Sequence, residues 1–267
     1  MGADIKQLRT RIKSVDSTLH LTRAMGLVAS SKIRRATDAM AKGRDYAAAL
    51  REVVGILSAA EECRRSPYAA VREGGRTCLV VIAGDRGLAG GYNANVFRLL
   101  REYPDVIKIP IGKRACERFG APTVLAEGYS YEDAFALASE LCRDFLAEKF
   151  DRVGILCTRY ESMMSQKTDI EWVLPLTAEE KTKRQNAIFE PDELSVLNAV
   201  VPDYLAGMIL SCVKESFACE VAARRVAMDS AGKNAEEMIA KLLLEYNRAR
   251  QGAITQEITE IVAGSGV

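Results

Sequence analysis

The sequence predicts an α/β head with a long antiparallel two-helix coiled coil formed by the N- and C-terminal helices. Three observations carry this expectation. The ends lack proline, since the first is Pro67 and none follows Pro202. About sixty residues at each end can therefore run helical, spanning ~85–90 Å at 1.5 Å per residue. A heptad pattern occupies the first of these ends, and the middle alternates strand and helix patterns. The expected division is a helix over 1–60, a linker over 61–76, a central Rossmann-like α/β domain over 77–190 and a second helix over 191–267.

In the first segment, apolar or small residues fall at Ile5, Leu8, Ile12, Val15, Leu19, Thr22, Gly26, Ala29, Ile33, Ala36, Met40, Gly43, Ala47, Leu50, Val54 and Leu57. The steps alternate three and four, an a/d seam held for roughly seven heptads. Gly26 and Gly43 each cost about 1 kcal/mol of helix propensity against alanine, so close packing or contact is expected there.

The middle reads in order as follows. Thr77–Ala83 is a buried strand, Gly84–Gly91 a glycine-rich turn and Asn93–Glu102 a helix. Val106–Ile111 is a strand, Lys113–Phe119 a short helix and Tyr131–Lys149 an amphipathic helix. Arg152–Thr158 and Thr168–Leu174 are strands. This alternation predicts a small, mostly parallel sheet ending in an antiparallel hairpin.

The last segment carries a stripe at Phe217, Val221, Arg224, Met228, Ala231, Ala235, Met238 and Leu242, broadening through Tyr246, Ala249, Ala253, Ile254, Ile258, Ile261 and Val262. Gly264-Ser265-Gly266 suits a helix end. Pro191 suits a first helical position, but Pro202 then falls inside the helix. Either a kink near Pro202 or a fresh start at Asp203 follows. If the middle folds as one unit, the two end helices pair antiparallel and the free termini meet at the far tip.

Composition removes several function classes. Net charge is +1 over 267 residues, which points to no nucleic-acid partner. The first sixty residues hold eleven Lys/Arg against five Asp/Glu, a surplus that asks for an acidic partner. His20 is the only histidine, which excludes histidine-based triads and most catalytic zinc sites. The seven cysteines include no CxxC and no ligand cluster, so we expect buried thiols in a reducing compartment. No metal or cofactor is implied. No run of 18 apolar residues occurs, so no direct membrane insertion is expected. Asp4 and the early helical pattern argue against a cleaved leader, and Lys6 against myristoylation of Gly2.

The turn at Gly84–Gly91 follows a strand and precedes a helix, as a phosphate cradle would, but it reads GDRGLAGG without GxGxxG spacing. The glycines are better read as a tight turn, with Asp85 and Arg86 making local hydrogen bonds. Acidic pairs such as Glu236-Glu237 and Glu257/Glu260 read as solvated helix faces.

Three sets of motifs resemble the γ subunit of rotary, F-type ATP synthases. Near the N-terminus they are Ile12-Lys13-Ser14-Val15, Thr22-Arg23-Ala24-Met25 and Val28-Ala29-Ser30-Ser31-Lys32. Near the C-terminus they are Ala222-Ala223-Arg224, Ala227-Met228, Asn234-Ala235, Tyr246 to Gln251, Ile254 to Ile258 and Glu260-Ile261-Val262. Gly84 to Asn93 is similar to the family's head-domain loop. The resemblance covers the whole chain. It implies a non-catalytic central shaft inside a hexamer of α and β subunits, with the head on the membrane-embedded c ring and the ε subunit beside it. Ion flow through the ring turns the shaft, and the nucleotides sit in the partners. The chain lacks the central insertion and cysteine pair of plant and cyanobacterial relatives, which favours a bacterial enzyme on the cytoplasmic face of the cell membrane.

The resemblance also implies roles for particular residues. Met25 matches a methionine facing the catalytic subunit's acidic loop, and Arg224 an arginine across the shaft from it. Arg250, Gln251 and Thr255 match a polar catch on catalytic-subunit loops. Phe189 and Glu190 match the foot segment near the c ring and ε; Phe189 stands where some relatives have tyrosine, so a hydroxyl contact is lost. Simpler readings stand beside these: seam packing for Met25 and an ion pair within the helix pair for Arg224. Two other functions stay open on sequence alone, an α/β enzyme with a nucleic-acid-reading coiled-coil arm and a self-associating scaffold.

Overall fold

The computed structural model describes residues 2–72, 74–177, 189–264 and 266. Among the described residues the α-helices and strands follow in order: α1 (Gly2–Ser58), β1 (Thr77–Ile82), α2 (Tyr92–Leu100), β2 (Ile107–Ile111), α3 (Lys113–Phe119), α4 (Tyr131–Leu146), β3 (Arg152–Tyr160), β4 (Gln166–Leu174) and α5 (Glu193–Gly264). The chain divides into two compact units, residues 31–223 and residues 1–30 with 224–267. Both α1 and α5 run through a boundary between them.

The larger unit is built on a four-stranded sheet of order β2-β1-β3-β4. β1 pairs in parallel with β2 and β3, while β3 and β4 form the antiparallel hairpin expected from sequence. β1 is covered on both faces, which is why it reads as a continuous apolar run. On one face Cys78, Val80 and Ile82 join α4, α5 and Leu57 of α1 in the main core. On the other, Leu79 and Val81 pack with Val96 and Leu100 of α2 and Ala115 of α3. Between α1 and β1, two short 3-10 turns at Glu62–Arg65 and Pro67–Ala69 bury Cys63 and Tyr68.

α4 starts with a reciprocal cap. The Ser130 hydroxyl accepts from the Asp133 N–H, and the Asp133 carboxylate accepts from the Ser130 N–H. α5 starts at the Asp192 carboxylate, which accepts from the Ser195 N–H at 2.8 Å. Pro191 therefore precedes the cap rather than occupying the first helical position. A fresh start at Asp203 does not occur, because α5 runs unbroken past Pro202. Val201, Leu205 and Ala206 around that proline are fully buried, and packing outweighs the one hydrogen bond the proline removes.

Every seam position named in α1 is buried or half-buried. In the smaller unit α1 and α5 are antiparallel: Gly26 lies beside Met228 and Arg225, and Leu19 beside Gly232. In the larger unit Gly43 faces Ser211, and Leu50 and Tyr46 close on Gly207. Met238, placed on the stripe by sequence, is instead 43% exposed, while Ala235 and Leu242 are buried. The pairing brings Gly2 level with residue ~250, so α5 outlasts α1 by roughly four turns at 3.6 residues each. Ile254, Ile258, Ile261 and Val262 are exposed for that reason. Ser265, part of the expected helix stop, lies outside the described residues.

One window of α5 is long and apolar enough to cross a membrane by composition, but 61% of it is buried inside the protein, as in a core helix.

Gly112 opens α3 at φ +93°, and a Cβ there would come within 1.9 Å of the Ala83 carbonyl oxygen. We expect Gly112→Ala to lower unfolding free energy by at least about 3 kcal/mol in a denaturant titration, from backbone strain and overpacking together.

Candidate functional site

The turn after β1 has the geometry of an anion cradle, and the protein fills it with its own carboxylate. Glu220, 1% exposed on α5, accepts from the Asp85 N–H and the Arg86 N–H, both at 3.1 Å. The Asp85 carboxylate in turn accepts from the N–H groups of Lys113 at 3.1 Å, Ala126 at 3.0 Å and Glu127 at 2.7 Å. Asn93 Oδ1 takes the Gly84 N–H at 2.9 Å. A nucleotide phosphate would have to displace Glu220, so the strand–turn–helix is a structural joint.

One helical turn earlier, Glu215 is fully buried and satisfied from three directions. It accepts from Arg44 Nη2 at 2.6 Å, Arg159 Nη1 at 3.3 Å and the Tyr160 N–H at 2.8 Å. Arg159 also pairs with Glu171, which accepts from Arg51 Nη2 at 2.9 Å. This chain of charges links α1, β3, β4 and α5. Sequence reading did not single out Glu215 or Glu220. The available signal was two acids, the first next to Lys214, inside a largely apolar stretch of α5.

The sequence-derived contact residues do not converge on one site. In the smaller unit, Thr22, Gly26, Arg225, Met228 and Gly232 line a cleft of about 380 Å³ between α1 and α5. Arg23 and Glu236 bridge its rim at 2.6 Å. Met25 is half-buried beside this seam, and Arg224 is only 9% exposed. Arg250, Gln251 and Thr255 are all exposed on the part of α5 that extends past α1. Their polar groups face outward, except that the Thr255 hydroxyl donates to the Gln251 carbonyl at 2.9 Å. That leaves Thr255 free to act as an acceptor. Phe189 is half-buried against the main core, and Glu190 is exposed.

Neither reactive thiols nor metal chemistry is favoured by these surroundings. All seven cysteines are free and buried. Burial pushes the Cys78 thiol up to about 12 and the Cys142 thiol up to about 11. His20 sits exposed, 3.7 Å from Asp16. Among the described residues, no group of three or more His, Cys, Asp or Glu is arranged to hold a metal ion.

Comparison with known proteins accounts for this architecture. The family described as ATP synthase matches residues 4–266. The ATP synthase gamma chain of Geotalea uraniireducens is 36% identical over 281 residues, covering 98% of each chain. The gamma chain of Moorella thermoacetica is 40% identical over 278 residues, again with 98% of each covered. This chain belongs to the ATP synthase gamma chain family. Solved structures share its fold at lower identity. The rotor of the Euglena gracilis mitochondrial ATP synthase superposes with a TM-score of 0.69 at 21% identity, over 95% of this chain and 100% of that one. The central stalk of the Tetrahymena thermophila enzyme gives 0.63 at 21% identity, over 79% of this chain and 99% of that one. As a gamma chain, this protein is one subunit of a larger complex, which agrees with contact residues spread along the surfaces of the long helices.

The burial of the thiols yields a direct expectation. In the native chain at pH 8 a thiol-reactive dye should label none of the seven cysteines on the minutes timescale, and all seven after denaturation. Counting labels by intact mass checks it.

Proposed function

We propose that this chain is the turning central shaft of a bacterial F-type ATP synthase, coupling ion flow through the c ring to ATP synthesis and hydrolysis in the α/β hexamer. The observation that carries this reading is the match to gamma chains over nearly the whole length. Surface chemistry supports it. Large apolar side chains stand exposed on both long helices, including Leu21 and Leu27 on α1 and Leu244, Ile258 and Ile261 on α5. A run of this kind fits burial by partners. The basic surplus of α1 fits the acidic loop of a catalytic subunit, attracted at long range and screened by salt rather than locked. A bearing that turns needs that kind of contact.

In this reading the chain has no catalytic residues, and it sits peripherally on the cytoplasmic face of the cell membrane. Residues 1–60 and 191–267 form the shaft, 61–76 connect it, and 77–190 form the head facing the c ring and ε. Met25 and Arg224 work opposite the acidic loop, Arg250, Gln251 and Thr255 catch on catalytic-subunit loops, and Phe189 and Glu190 mark the foot. Phe189 would act there through its packing, since half of it is already committed to the core. The alternative of an α/β enzyme with a nucleic-acid-reading arm gains no support from the turn after β1, whose N–H groups already hold the Glu220 carboxylate.

Tagging this chain and purifying it from membranes tests the reading. The α, β, ε and c subunits should come with it, and recovery of the chain alone would overturn it. Alanine at Arg250, Gln251 and Thr255 together should lower ATP synthesis roughly 3–10-fold in assembled enzyme, on the scale of one or two lost hydrogen bonds. Rates of inverted vesicles normalised to complex content measure this. Met25→Lys should lower protons pumped per ATP hydrolysed while leaving assembly intact; normal pumping efficiency would remove Met25 from the coupling set.

A further inference from the structure

We propose that Glu215, Ser216, Cys219 and Glu220 form a torsional key, a set of directional bonds that stops α5 from turning inside the sheet unit under load. The proposal rests on the shaft reading, and it names the residues through which torque passes between the long helices and the sheet.

The four residues fall at i, i+1, i+4 and i+5, which places them on one face of the helix over two adjacent turns. All are at most 1% exposed. Every one meets the ends of β1 and β3 or the turns that follow them. Glu215 accepts from the Tyr160 N–H at 2.8 Å. Ser216 Oγ accepts from the Thr158 N–H at 3.1 Å, and Cys219 Sγ donates to the Thr158 carbonyl at 3.4 Å. Glu220 closes the set on the Asp85 and Arg86 N–H groups.

The partners are chiefly backbone groups of a sheet, which cannot follow a rotating helix as a flexible side chain would. The receiving turn is itself braced, because Asp85 spends its carboxylate on three further N–H groups. The second helix is drawn into the same key. Arg44 of α1 donates to Glu215 and, at 2.7 Å, to the Tyr160 carbonyl.

Apolar burial alone would not do this. It is non-directional and depends on area removed from water, so a helix face in a greasy seat resists withdrawal more than rotation. Charged acceptors fixed to N–H groups in a dry site resist both, since turning the helix by part of a step leaves a buried carboxylate unsatisfied. Burying two carboxylates is costly in itself, and a hydrophobic replacement of the same volume would hold the helix in place at least as well. Directional resistance is what the carboxylates add.

The test uses the assembled complex with its hexamer fixed to a surface and a rod-shaped optical probe attached to the sheet unit. The shaft is held at its far end by nucleotide-arrested catalytic subunits. Angular fluctuation of the probe reports torsional stiffness. Glu215→Gln and Glu220→Gln replace a charged acceptor by a neutral one with roughly half the bond strength, so together they should widen the angular variance about twofold. Gly84→Ala is a second route if the carboxamides do not assemble. Its Cβ would stand 2.9 Å from the Glu220 Cδ, displacing the carboxylate while every polar group remains. Ile155→Ala, a fully buried strand position, serves as the control for plain loss of stability. Wider variance in the key variants with an unchanged control supports the key. Unchanged variance in the key variants, or equal widening in Ile155→Ala, overturns it while leaving the shaft reading intact. A native complex in which the probe never rotates with ATP overturns the shaft reading itself.

Discussion

One helix has to satisfy three environments along its length, and the rest of the structure is arranged around that constraint. α5 extends over 72 residues. Its first third lies in the main core, where Leu197, Leu205, Ile209 and Val213 are fully buried. Its middle shares a narrow seam with α1, and its last turns are exposed almost all round. No single apolar stripe can serve all three, so the pattern along the helix changes from apolar on most sides to heptad-like to scattered. The small residues follow from the same constraint. Gly43 stands against the Ser211 backbone and Gly207 beneath the Leu50 and Tyr46 side chains, and bulk at either would push the pair apart.

Two acids in the most apolar part of such a helix call for an explanation. Glu215 and Glu220 are each satisfied by several donors, which is the condition under which a buried carboxylate is tolerated. Their donors come from the sheet ends and, for Glu215, from α1 as well. The polar contacts thus sit at the junction of elements, while the apolar clusters fill the layers between them. Hydrophobic burial sets how much holds the unit together, and the carboxylates set the relative orientation of the pieces.

The same division explains why a turn with the connectivity of a phosphate site binds no phosphate in this reading. A strand, a glycine-rich turn and a helix present N–H groups whatever the protein does with them. In a nucleotide enzyme the anion arrives from solution. Here it is tethered to α5, and the energy of the cradle goes into joining the helix to the sheet.

Much of this was legible from residues alone. Proline-free ends, the three–four seam of α1 and the apolar run of β1 are local patterns, and periodicity reports them directly. The parallel sheet with its closing hairpin follows from strand–helix alternation. The candidate contact residues came from motif resemblance. What local pattern could not decide depends on neighbours distant in the chain. Pro202 stays inside α5 because side chains from other elements pack around it, which no window around Pro202 contains. Met238 turns outward because the position of α1 fixes which face of α5 is covered. Glu215 and Glu220 look like stray charges until the turn after β1 and the end of β3, more than fifty residues away, supply their donors. The sequence by itself determined which segments are helix, strand and turn, since those are set by steps of two to four residues. Only the tertiary structure decided which polar side chains are bound and to what, because a hydrogen bond is a meeting of two groups and the sequence shows one at a time.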